Sequence, residues 1–204
     1  MQTPKEQSRV SHIVYDLSEQ LLGLAERSWQ ALKGYSVITQ EVAKDPFTSD
    51  AKTQAATAEL LIFLLHVCDR VSTATFLAAL PPQTAELLRN AFMGGAVGVT
   101  LPAFVRKACP EDDQDELEET QADLLHLYNA RATQYGFFSL GGTTAVENDS
   151  LFTLAAIRLA EALDCPDNAD VISHGVEVTV SSLSTLREKL PLKAAIGELL
   201  AGAR

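Results

Sequence analysis

Glu59, His66, Asp69 and Arg70 are the residues of this chain whose types and spacing could do chemistry. They lie in Glu59-Leu-Leu-Ile-Phe-Leu-Leu-His66-Val-Cys-Asp69-Arg70, a run that is otherwise apolar. At about 100° per residue, Glu59, His66 and Arg70 project within about 40° of one another on a helix, flanked by Asp69 and Thr73. A carboxylate, an imidazole and a guanidinium on one stripe could hold a metal, orient a polar ligand or fix the register of a neighbouring helix. Leu60, Leu61, Leu64, Leu65, Val67 and Cys68 cover most of the remaining surface, which is the pattern of a central helix. The direction in which the stripe points decides among these roles.

A second set lies further on. Asp123-Leu-Leu-His126 has the carboxylate–histidine spacing used by di-metal helical bundles, and Glu119 falls one turn earlier. Glu59, His66, Glu119, Asp123 and His126 are therefore the candidate metal ligands, and their oxygen and imidazole donors suit iron, manganese or zinc. The pattern departs from the bundle signature, which has two Glu-x-x-His motifs. Here one carries Asp, and the other runs in reverse as His66-Val-Cys-Asp69. A solvated polar face explains the same residues, so no cofactor is expected. The candidate ligand-binding set is His66, Asp69 and Arg70 with Phe63 and Met93, a polar stripe bordering an apolar pocket.

Other chemistries lack their signatures. No Gly-x-Ser-x-Gly elbow occurs, and Cys68 points about 160° away from His66 on a helix. Gly94-Gly-Ala-Val-Gly98 lacks both the order of a dinucleotide loop and a following lysine, and it suits close helix approach instead. The net charge of −11 and the absence of a basic patch argue against nucleic acid and against anionic membrane surfaces. Cys68, Cys109 and Cys165 form no CxxC pair and read as reduced, mostly buried thiols of a cytoplasmic protein. The polar N-terminus is followed by no apolar core of a signal peptide, and the apolar run at 91–105 is too short for a membrane span.

The elements that must position these residues are helices. Val10, Val14, Leu17, Leu21, Leu24 and Ser28 recur at steps of four and three, predicting a first helix over 6–32 whose seam could pair with a partner. A connector over 34–49 leads to a helix over 50–80, stopped by Pro81-Pro82. A third helix over 83–107 is expected to bend at Pro102. The fourth is expected to open at Cys109-Pro110 and run to about Phe138, with Leu124, Leu127, Tyr128 and Tyr135 on its apolar side. Thr144-Ala-Val-Glu147 offers a capping box for a fifth helix ending near Leu163. Ile172, Val176, Thr179, Leu183, Leu186 and Leu190 predict a sixth, although Val176-Glu-Val-Thr-Val180 alternates like a strand. Pro191 separates a short terminal segment.

The fold expected is all-α, a single domain over residues 1–204, built as a bundle of six to seven helices around one central, near-fully apolar helix. Three functions follow. The first is a non-enzymatic helical interaction or regulatory domain, self-associating as a homodimer or binding a protein partner, since catalytic motifs are lacking. The second is a small-molecule-binding helical domain with an apolar pocket near His66 and Arg70. The third is the carboxylate–histidine metal bundle. An interface along the first helix would leave its apolar seam exposed in the isolated chain.

Overall fold

Local signals and burial together set the helices seen in a computed structural model of the protein, which describes residues 4–110, 113–138, 150–189 and 192–202. They run α1 (Pro4–Lys33), α2 (Ser36–Ala43), α3 (Ser49–Ala79), α4 (Pro82–Ala108), α5 (Gln114–Tyr135), α6 (Leu151–Ala162), α7 (Ala169–Lys189) and α8 (Leu192–Gly202). The architecture is an all-α single-domain bundle of eight helices, with no strand among the described residues. The count exceeds the expected six to seven because the 34–49 connector contains α2. Its Ile38 and Val42, one turn apart, are buried and dock it on the core.

The central helix is α3. Every residue from Ala56 to Cys68 is buried, and α1, α4, α5, α6, α7 and α8 all pack on it. The seam of α1 turns inward: Val14, Leu17, Leu21, Leu24 and Ser28 are buried in the chain's own core. The seam is thus not left over for a partner, since covering its apolar side chains within the chain already removes them from water. Ser28, a polar break in that seam, meets Ser182 of α7 at 2.6 Å between hydroxyl oxygens. This satisfies both buried groups.

Proline position sets the start of α4 at Pro82, without a side-chain cap, whereas capping chemistry sets the starts of α5 and α6. Cys109 closes α4, its N–H donating to the Val105 carbonyl at 2.8 Å. The next helix starts only after Asp113, whose carboxylate accepts from the N–H groups of Asp115 and Glu116, each at 3.0 Å. An aspartate that satisfies two free donors is a stronger start than Pro110. Ser150 similarly caps α6, accepting from the Thr153 N–H at 3.1 Å. The Thr144–Glu147 box expected there, like Leu190 and Pro191, lies outside the described residues. The 176–180 run is helical, with Val178 and Thr179 buried within α7. Pro102 sits inside α4, which continues to Ala108.

Both α3 and α4 are long and apolar enough, by length and composition, to cross a bilayer. The most apolar window of α3 is 61% buried inside the bundle, and that of α4 is 39% buried. The apolar run at 91–105, by itself too short for a span, lies within α4, whose bounds match the helix expected over 83–107. Core packing explains the hydropathy of α3 and only part of that of α4.

Candidate functional site

The stripe on α3 points inward, mainly against α5. Glu59 is buried and receives the guanidinium of Arg131: Nη2 lies 2.5 Å from Oε1, while Nε lies 3.2 and 3.1 Å from the two oxygens. Two turns on, the His66 ring stacks on that of Tyr128, with centroids 4.5 Å apart and planes 2° from parallel. Tyr135 meets the same imidazole edge-on at 5.2 Å. His66 Nε2 lies 3.2 Å from the Tyr128 carbonyl oxygen. That oxygen can only accept, so Nε2 carries the proton and Nδ1 is the bare nitrogen.

The last two members of the stripe are held as firmly. Arg89 of α4 grips Asp69 with two parallel bonds, Nε to Oδ1 at 2.7 Å and Nη2 to Oδ2 at 2.5 Å. Such a fork matches the planar carboxylate in both distance and direction. Arg70 donates to the carbonyl oxygens of Tyr135 and Phe138, tying down the last turn of α5 and the residues just beyond it. A helix C-terminus leaves such carbonyls without intrahelical donors, and a cation there also suits the helix dipole.

Burial sets the electrostatics. The His66 imidazole is lowered from 6.5 to about 4, first by loss of solvent and then by Arg70; the Tyr128 carbonyl bond and Asp69 oppose the shift. The ring is neutral at pH 7. Because the unfolded chain binds a proton that the folded chain refuses, stability is retained above pH 6.5 and lost as pH falls toward 4. At pH 5 the loss is about 2 kcal/mol. Denaturation of wild type and His66→Gln across that interval checks it, and the variant should lack this part of the slope. The Cys68 thiol is pushed up to about 12 by complete burial and is inert as a nucleophile. Of the three cysteines only Cys68 is buried; Cys109 and Cys165 are half-exposed.

The expected ligand and metal sets are distributed differently from their spacing. Phe63 is buried between Tyr135 and Phe152, with ring centroids 6.5 and 6.1 Å away. Met93 is buried in α4. His66, Asp69 and Arg70 keep the intramolecular partners already described. Of the metal candidates, Glu59 is bound to Arg131, while Glu119, Asp123 and His126 lie on the exposed side of α5. The five do not converge, and among the described residues no three His, Cys, Asp or Glu side chains gather as metal ligands would. The sequence reading missed Arg131, although Leu124, Tyr128, Arg131 and Tyr135 make one stripe at steps of four, three and four. A lone arginine inside such a stripe signals a carboxylate facing it.

The class these features define is an all-α bundle whose central helix is cross-linked to its neighbours by one buried and one half-exposed ion pair and by a histidine–tyrosine stack. Beyond the class, no family model, no curated protein and no solved structure matches the chain.

Proposed function

We propose that this chain is a non-enzymatic helical domain that acts by association, and that it self-associates through the outward face of α4. The observation that carries this reading is that face itself. Leu87 is 71% exposed, and Ala91, Gly94 and Gly98 are exposed above it, at steps of four, three and four residues along one side of an apolar helix. A Cβ built on Gly94 or Gly98 would meet nothing within 4 Å. Another helix can therefore approach the backbone closely there, and an exposed apolar face of this kind is a contact surface. None of these four residues is charged, so the overall charge of −11 is not concentrated where two copies would meet. A two-fold arrangement places the same patch on both partners, as a symmetric dimer requires. The commitment of Glu59, His66, Asp69 and Arg70 to partners within the chain supports a structural role for the stripe.

Sedimentation velocity tests the reading. Wild type should form a dimer with rising concentration, and Ala91→Glu/Gly94→Glu should remain monomeric with an unchanged melting temperature. A wild type monomeric up to about 0.5 mM would end the self-association proposal. Flotation with uncharged phosphatidylcholine vesicles, abolished by the same double variant, would assign the face to a bilayer instead.

A further inference from the structure

The helix α5 is lightly attached for one that covers the centre of the bundle. Leu124 and Tyr135 are its buried residues, and it packs chiefly on α3 and α4. The helix beneath it, α3, is also held by α1, α6, α7 and α8. What ties α5 down is largely polar and lands on the α3 stripe. Arg131 reaches Glu59, Tyr128 and Tyr135 enclose His66, and Arg70 holds the carbonyls of Tyr135 and Phe138. When one of these links fails, α5 is the element free to move.

His66 is the link that a proton can break. Of the chain's four histidines it alone is buried. Tyr128 covers the face of its ring, Tyr135 meets its edge, and Nε2 already donates to the Tyr128 carbonyl. A further proton enters at Nδ1, where no acceptor lies among the described residues. Asp69 does not supply one, since Arg89 of α4 holds both of its oxygens. Arg70, on the same helix, adds a like charge, while Glu59, Arg131, Arg158 and Glu161 bear on Tyr135 rather than on this ring. A buried N–H without an acceptor and a buried charge near a like one both cost free energy. Lifting α5 returns the ring to water and relieves both.

We propose that α5 is an acid-released strap: proton uptake at His66 lifts it from α3 while the remaining helices stay packed. The opened state presents Glu59, His66 and Arg70 to solvent. The device does not rest on self-association, because Leu87, Ala91, Gly94 and Gly98 take no part in it. An imidazole in water takes up its proton near pH 6.5, whereas under α5 it is held down to about 4, first by loss of solvent. Closure is therefore complete above pH 6.5 and weakens as pH falls toward 4.

Hydrogen exchange between pH 7 and pH 5, corrected for intrinsic rates, tests this. Trp29, the single tryptophan and 2% exposed in α1, reports on the rest of the bundle. In wild type, the opening constant of Gln114–Tyr135 should rise about 20-fold while Trp29 emission stays unchanged. Carboxylates ordinarily titrate below this interval, so they contribute little. His66→Gln keeps a donor for the Tyr128 carbonyl and takes up no proton, and its α5 should change by less than about 2-fold. Proton resonances of the His66 ring give a reading that needs no variant: the ring should titrate only as α5 loses protection. The proposal is overturned by α5 protection that ignores pH, by an equal rise in His66→Gln, or by a ring titrating near 6.5 under a protected α5. Trp29 emission changing together with α5 would also overturn it, since the whole bundle would then be unfolding.

Discussion

Arg131→Met should lower the stability of the folded chain by about 3–5 kcal/mol, read as a reduced denaturation midpoint at unchanged m-value. The substitution keeps most of the side-chain volume and removes the charge. It leaves the Glu59 carboxylate, 6% exposed, without the guanidinium that now lies 2.5 Å away. An ionised carboxylate in that position has lost water and gained nothing in return. The double variant Glu59→Met/Arg131→Met removes both charges and should recover most of the loss, since paired apolar replacements leave no buried charge behind. A single-variant cost below about 1 kcal/mol would mean that solvent already screens the pair, and the cross-link between α3 and α5 would carry little stability. The damage should begin in α5. Leu124 and Tyr135 are its buried residues, so its docking depends on Arg131, the Tyr128 stack and the Arg70 contacts. Hydrogen exchange in Arg131→Met should therefore accelerate across Gln114–Tyr135 before it does in α3.

Gly175→Leu should cost about 3 kcal/mol, with Gly175→Ala causing a smaller loss in the same direction. Gly175 lies in α7 where it crosses α6. A Cβ there would sit 2.9 Å from Ala156 Cβ and 3.1 Å from Ala156 Cα. Neither contact can be relieved by rotating a side chain, so the two helices would have to move apart. Ala156 and Gly175 are both buried at the contact, and separation would also open gaps around Leu159 and Val178. In a Gly175→Ala background, Ala156→Gly should be less harmful than it is alone, because it restores the space the new methyl group takes. Additive costs in that cycle would show that the helices do not meet as closely as these distances imply.

Gly175 was not legible in the sequence as anything but a weakness in a helix. Its neighbours Ile172, Val176 and Thr179 announced the helix by their spacing. That a missing Cβ at 175 is needed to admit Ala156 depends on which helix lies across it. The same limit applied to the site. Glu59, His66 and Arg70 could be placed on one stripe because a helix converts spacing into direction. The partner of Glu59 is 72 residues away and that of Asp69 is 20 residues away on another helix. No local periodicity encodes which of several arginines will arrive. For α1, the 14–17–21–24 seam was read correctly as an apolar surface, but its occupant was open: identical spacing serves a partner chain or the chain's own core.

By itself, then, the sequence determined that this is an all-α chain with α3 near its centre, because burial on nearly every side demands the run from Leu60 to Cys68, apolar at every position but His66. It also set most helix boundaries to within a few residues, through prolines and acidic caps that act on their own neighbours. The tertiary structure alone decided that the α3 stripe turns toward α5 and that the α1 seam is covered internally. It likewise decided that α4 keeps an uncovered apolar face. The physical reason is the same in each case. Helix formation and capping are satisfied over one or two turns, whereas ion pairs, ring stacks and close packing are satisfied only between segments that folding brings together.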